Sequence, residues 1–220
     1  MAGKRSYGDP CGIARALDVL GERWALLVVR ELVLGPKRYT DLRAHLPGIA
    51  TDVLSQRLRQ LEQAGVLRSV ALEAPAAGRV YELTERGLDL KPVLHALGRW
   101  GSHKGFEGVD HEMTVDALAV ALETVFEPAN AAGLDATVAL VIDSDPLVAE
   151  IQDGTLEIRR GTAEDPDSRI EASVEALREV LWRGHALPEA EASGEVTIVG
   201  SRTVVRRFLK LFPSAGPASR

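Results

Sequence analysis

Residues 51–63 read TDVLSQRLRQLEQ, and the first fold turns on this stretch. At 100° per residue, Leu54, Leu58 and Leu61 fall within about 60° of one another, the stripe that a helix buries. Ser55, Gln56, Arg59, Gln60 and Gln63 take the opposite half, with Arg57 at its edge. Thr51 is placed to cap the helix and Gly65 to end it. Acids are nearly absent from the polar side except for Asp52, in the first turn, where a carboxylate suits the helix dipole. Arginine pairs with guanine, glutamine with adenine, and serine with either, so this face has the groups that meet base edges. A solvated surface helix would carry the same residues, and the neighbouring elements must choose between the two readings.

Working backwards, Thr40 is expected to cap a helix over Asp41–Leu46 that Pro47-Gly48 ends. Gly35-Pro36 stops a densely apolar helix over Trp24–Leu34, because proline cannot continue the hydrogen-bond ladder. Ile13–Leu20 forms a first short helix with Ile13, Ala16, Leu17 and Leu20 apolar. Working forwards, Arg68–Ala74 and Arg79–Leu83 alternate as strands around an Ala-Pro-Ala-Ala-Gly turn. A further helix covers Glu85–Trp100, bent or restarted at Pro92. Helices followed by a two-stranded wing are the order of a winged helix-turn-helix. Phosphate contacts are then expected from Lys37 and Arg38 ahead of the supporting helix, from Arg79 at the wing, and from Arg68 as a further candidate. Tyr39, Trp24 and Trp100 are assigned to packing.

The net charge of -6 is distributed unevenly. Residues 1–105 hold 16 Lys/Arg and 11 Asp/Glu, whereas residues 106–220 hold 10 and 21. A polyanionic partner would be attracted by the first half and repelled by the second. No apolar run of about 18 residues is present, which argues against a transmembrane helix. Met1–Pro10 is polar and lacks the apolar core of a secretory signal. The single cysteine, Cys11, allows neither an intrachain disulfide nor a cysteine-built zinc site, and a reducing cytoplasm fits best.

These residues carry a resemblance. Cys11, Leu20-Gly21-Glu22-Arg23-Trp24, Arg30-Glu31-Leu32, Gly35-Pro36-Lys37-Arg38-Tyr39, Leu46-Pro47-Gly48-Ile49, Leu54–Glu62, Gly65-Val66-Leu67 and Tyr81-Glu82-Leu83-Thr84 resemble the HxlR family of bacterial transcriptional regulators. The likeness covers residues 8–102. It implies a MarR-like winged-helix homodimer on double-stranded DNA with a palindromic operator, built through the first helix and the helix after the wing. That points to Ala14, Leu17, Val93, Leu94, Leu97 and Trp100 as the dimer interface. Two-fold symmetry places two reading helices, with contacts from Thr51, Ser55, Gln56, Arg57, Arg59 and Gln60, in successive major grooves. Cys11 aligns with an N-terminal cysteine that senses oxidants or electrophiles in several members. Here Gly12 follows it in place of the usual proline, and a plain structural cysteine at the dimer seam is the alternative.

Gly101–Asp110, glycine-rich and poor in apolar groups, is expected to link to a second domain over residues 112–212. Val115, Leu118, Ala119, Leu122, Val125 and Phe126 fall on one helical face. Strands are expected at Thr137–Ile142, Thr155–Arg159 and Glu195–Val199, helices at Ile170–Arg183 and Val204–Phe212, and a tail at Pro213–Arg220. Asp153–Ile158, Gly194–Gly200 and Arg206–Phe212 resemble the sterol-carrier-protein-2-like domain. This implies an apolar cleft for a small hydrophobic effector, with Phe126, Leu140, Ile142, Ile158, Val174, Leu177, Trp182, Ile198 and Phe208 as lining candidates, or as plain core. The fold class expected is α+β, a winged helix-turn-helix followed by a small α/β sterol-carrier-like domain.

No G-x-S-x-G elbow, glycine-rich phosphate loop or paired carboxylates point to an enzyme. His103 and His111, near Glu107, Asp110 and Glu112, are too loosely spaced for a metal site, and nothing calls for a cofactor. The reading is a homodimeric DNA-binding regulator, a repressor, with a carrier of lipids or small hydrophobic molecules as the alternative.

Overall fold

The computed structural model describes residues 6–72, 78–102 and 112–213. The chain divides into two compact units, residues 1–94 and 95–220. The wing turn, most of the expected linker with His103 and His111, and the tail beyond Pro213 lie outside the described residues.

In the first unit, α1 (Gly12–Leu20), α2 (Ala25–Leu32), α3 (Tyr39–His45) and α4 (Thr51–Gln63) precede the wing. The wing pairs β2 (Leu67–Leu72) with β3 (Gly78–Leu83), and β1 (Lys37–Arg38) adds to the other edge of β3, all antiparallel. Helices α5 (Glu85–Leu88) and α6 (Lys91–Gly101) follow, and α6 runs across the boundary between the units. Leu54, Leu58 and Leu61 pack with Val28, Val29, Leu32, Leu42 and Leu46 in one core, as the stripe requires. Two helix starts differ from the expected ones. Arg38 and Ala50 occupy the cap positions, while Thr40 and Thr51 lie inside the first turns. Helix α4 ends where expected: Gly65 takes φ +68°, and the amides of Gly65 and Val66 close back on the carbonyls of Glu62 and Leu61, both at 2.9 Å. Thr84 caps α5 and donates to the Gly65 carbonyl at 2.7 Å, tying the wing base to the end of α4.

In the second unit, α7 (Val115–Val125) is capped by Thr114. A five-stranded sheet follows from β4 (Ala136–Ile142), β5 (Asp145–Gln152), β6 (Thr155–Arg160), β7 (Ser168–Ala172) and β8 (Val196–Gly200). Its order is β6-β5-β4-β7-β8; β4 and β7 run parallel and the other pairs antiparallel. Helices α8 (Val174–Trp182), α9 (Leu187–Ser193) and α10 (Arg202–Leu209) complete the α+β architecture. The helix expected from Ile170 begins only at Val174, because Ser168, Ile170 and Ala172 alternate inward as a strand against β4. Strand β5 and helix α9 had no counterpart in the sequence reading. Among the described residues no helix is long and apolar enough to cross a membrane.

Candidate nucleic-acid interface

Helix α4 presents Thr51, Gln56, Arg59, Gln60 and Gln63 to solvent. Arg59 makes no intramolecular hydrogen bond or ion pair among the described residues, so its guanidinium is available to an external acceptor. Ser55 is half-buried and turned along the helix: its hydroxyl donates to the Thr51 carbonyl at 2.8 Å and lies 3.3 Å from the Tyr39 hydroxyl. Tyr39 also donates to the Thr51 carbonyl, at 2.8 Å, and so fixes the start of α4 against α3. The sequence assigned Tyr39 only to packing; its hydroxyl also orders the N-terminal end of α4.

Two of the expected contacts are corrected. Arg57 is buried, at 7% exposure. Its Nε donates to the Arg23 carbonyl at 3.1 Å, Nη2 to Glu22 at 3.0 Å, and Nη1 to Oε1 of Gln60. Glu22 lies 35 positions before Arg57, so no local pattern could have revealed the pair. Arg23 itself stacks over the Trp24 ring, 5.2 Å from its centroid, in a turn where Trp24 takes φ +79°. Lys37 is buried too, opposite Tyr81 in the β1–β3 pairing. Arg38 and Arg79 remain exposed, and Arg79 donates to Ser69 at 2.8 Å across the wing. Arg68 pairs with Glu82 at 2.6 Å. Arg43 is exposed on α3, a cation that the sequence reading had left unassigned. Behind α3, the buried Glu31 accepts from Arg30 at 2.7 Å and faces His45 at 3.1 Å, which joins α2 to α3.

Of the expected dimer residues, Leu17, Val93, Leu97 and Trp100 are exposed, Ala14 is half-buried, and Ile13 on α1 is exposed as well. Leu94 is corrected: it belongs to the core of the first unit. Cys11 is an exposed free thiol ahead of α1. The expected ligand cleft is corrected too. Leu140, Ile142, Ile158, Val174, Leu177 and Phe208 are closed core, and Phe126, Trp182 and Ile198 are half-buried. Elsewhere in that unit the buried Asp116 is held by Arg160 at 2.8 Å. Burial lowers the Arg160 pKa, but hydrogen bonds and charge from Asp145 and Asp116 outweigh it, and the net shift is upward.

Residues 19–107 match the HxlR-like helix-turn-helix family and residues 100–218 the alkyl sulfatase C-terminal family, where the sequence suggested a sterol-carrier-protein-2-like domain. The HTH-type transcriptional regulator sll1512 of Synechocystis sp. is 43% identical over 96 residues, 43% of this chain and 70% of that protein. YvaP of Bacillus subtilis, also an HTH-type transcriptional regulator, is 34% identical over 88 residues, 40% of this chain and 82% of that protein. The reduced form of the B. subtilis transcriptional regulator YodB aligns with 46% of this chain and 100% of its own, at 29% identity and a TM-score of 0.41. By these matches the chain belongs to the HxlR-like helix-turn-helix family through its first domain and to the alkyl sulfatase C-terminal family through its second.

Proposed function

We propose that the protein is a sequence-specific DNA-binding transcriptional regulator that works as a homodimer on an inverted repeat. The observation that carries this reading is the outer face of α4: Gln56, Arg59, Gln60 and Gln63 stand exposed on a helix whose other side is locked into the core. Side chains of this chemistry on a rigid helix can pair with base edges in the major groove. The transcriptional regulators that match the first domain support the same function. Arg38, Arg43 and Arg79 are positioned in the proposal as phosphate contacts, which set register without reading sequence.

The exposed Ile13 and Leu17 on α1, with Val93, Leu97 and Trp100 on α6, support the homodimer, since large apolar groups on view favour association. A dimer on a promoter acts as a repressor by occlusion. A small hydrophobic effector taken up by the second domain, next to the half-buried Phe126, Trp182 and Ile198, shifts operator affinity by favouring one dimer geometry.

Selection of random duplexes by the full chain, followed by sequencing, tests the proposal. An enriched inverted repeat with half-sites one helical turn apart, or a multiple of it, is expected. Absence of enrichment even at low salt removes the regulator reading and leaves lipid binding by the second domain to be measured next.

A further inference from the structure

Away from the reading face, the first unit has a pocket of about 330 Å³ between α1, the base of the wing and α5. That volume lies at the small end of the range for ligand sites, about 300–1,000 Å³. Its floor is aliphatic: Val66 is buried, and Val19, Leu20 and Leu90 are half-buried against the core. Two guanidinium groups also line it, Arg15 from α1 and Arg86 from α5, and among the described residues no acidic side chain does. Arg15 is exposed and makes no hydrogen bond or ion pair within the described chain. Arg86 donates through Nη1 to the carbonyl of Ala64, the residue that ends α4, at 2.7 Å, and its other N–H groups remain as donors. On α1, Gly12, Ala16 and Val19 face the pocket, about 120° round the helix from Ile13 and Leu17. A homodimer packed through Ile13 and Leu17 therefore uses a different side of α1.

We propose that this pocket binds an aliphatic carboxylate, its chain on the floor of Val19, Leu20, Val66 and Leu90 and its charge between Arg15 and Arg86. Both parts of such a ligand are needed to match the site. A neutral apolar molecule would leave two cations unanswered, and a small inorganic anion would leave the floor in water. Guanidinium–carboxylate hydrogen bonds are charge-assisted and about twice as strong as neutral ones. The floor offers no aromatic ring for stacking, which favours an alkyl chain over a planar ligand. The two arginines also belong to parts with different duties: Arg15 stands on α1, and Arg86 holds the end of α4. A carboxylate that bridges them ties α1 to the reading helix, and it shifts operator affinity when one dimer geometry sets the arginines at a better separation than the other. This effector role rests on the DNA-reading homodimer proposed above, whereas the binding itself does not.

Octanoate is the probe, with octanol as the uncharged molecule of the same chain length, and methyl NMR of the full-length protein reads binding at the site itself. Octanoate is expected to shift the methyls of Val19, Leu20, Val66 and Leu90 with a dissociation constant of about 1 mM or below. Octanol should bind about tenfold more weakly or worse. Arg15→Gln, at an exposed side chain without partners, should weaken octanoate about tenfold and leave thermal unfolding unchanged. Ala16→Leu fills part of the pocket and should weaken octanoate and octanol alike. On the operator enriched by selection, saturating octanoate should then change the affinity about fivefold or more. No shift of the four residues at about 10 mM octanoate, shifts confined to the second domain, equal binding of octanol, or undiminished binding by Arg15→Gln overturns the site. Binding at the site with no change in operator affinity overturns the effector role. A protein that enriches no operator yet shows the four shifts loses the DNA-reading function and keeps the pocket, so the two failures are distinguishable.

Discussion

Arg57 and Arg59 stand two positions apart in one helix and have opposite fates. Arg57 turns inward to Glu22 and the Arg23 carbonyl, whereas Arg59 is exposed and makes no bond within the described chain. The difference is geometric, since two positions on a helix are separated by about 200°. Arg59→Ala is expected to cost about 1–3 kcal/mol of discrimination at one base per half-site, with the other positions unchanged. Dissociation constants for single-base operator variants measure this, and a uniform weakening would assign Arg59 to a phosphate instead. At Cys11 the exposed thiol has no second cysteine to pair with in its own chain. Any disulfide it forms must reach a second molecule.

At the scale of elements, two glycines show different reasons for their presence. Gly65 closes α4 at φ +68°, and a Cβ there would meet nothing within 4 Å. Gly65→Ala therefore carries mainly the left-handed backbone penalty, partly offset by a less flexible unfolded chain, and should cost about 1 kcal/mol. Gly87 in α5 has an ordinary backbone, but a Cβ would lie 2.1 Å from the Val66 carbonyl oxygen. Backbone must move to admit it, so Gly87→Ala is expected to cost more than Gly65→Ala, about 2–3 kcal/mol or more. Urea titration of the two variants orders them, and equal losses would contradict the account. Helices α1 and α6 pose a separate question, because Leu17 is 44% exposed and Leu97 48%. If these faces form the homodimer, Leu97→Glu should give monomers in sedimentation and weaken operator binding roughly a hundredfold or more through lost bivalency. Retained dimers would place the interface elsewhere.

Across the whole molecule, charge is split between a basic first half and an acidic second half. Such a chain meets a polyanion in one orientation, with the second half repelled from it. With Arg38, Arg43 and Arg79 from each protomer on phosphates, the logarithm of the binding constant should fall with the logarithm of salt with a slope of about -5. Arg79→Ala removes one contact per protomer and should reduce that slope by about 2 while leaving the preferred sequence unchanged. A slope that does not move would take Arg79 off the phosphate backbone. Lys37 contributes nothing to this sum, because it is buried opposite Tyr81.

The apolar stripe of α4, the glycine that ends it and the succession of helices and wing were legible along the chain, because each is a local pattern whose period is that of the backbone it builds. The uneven charge and the single cysteine were equally open to reading. Tertiary structure alone settled where the polar groups of those elements go. Arg57 lies at the border of the stripe and is drawn inward by Glu22 and the Arg23 carbonyl, contributed from far along the chain. The same holds in the second domain. Ile170, Val174, Leu177 and Leu181 fit a helical period, yet Ile170 joins a strand because β4 lies beside it in parallel. Strand β5, which the sequence reading lacked, opens with Asp145 and Pro146 paired with Ile142 and Val141. Nor could periodicity separate a cleft wall from a packed interior, since both are apolar and on the same face. Leu140, Ile142, Ile158, Val174, Leu177 and Phe208 are core because sheet and helices close over them. Periodicity records which side of an element avoids water; what fills that side is decided by contacts between residues distant in sequence.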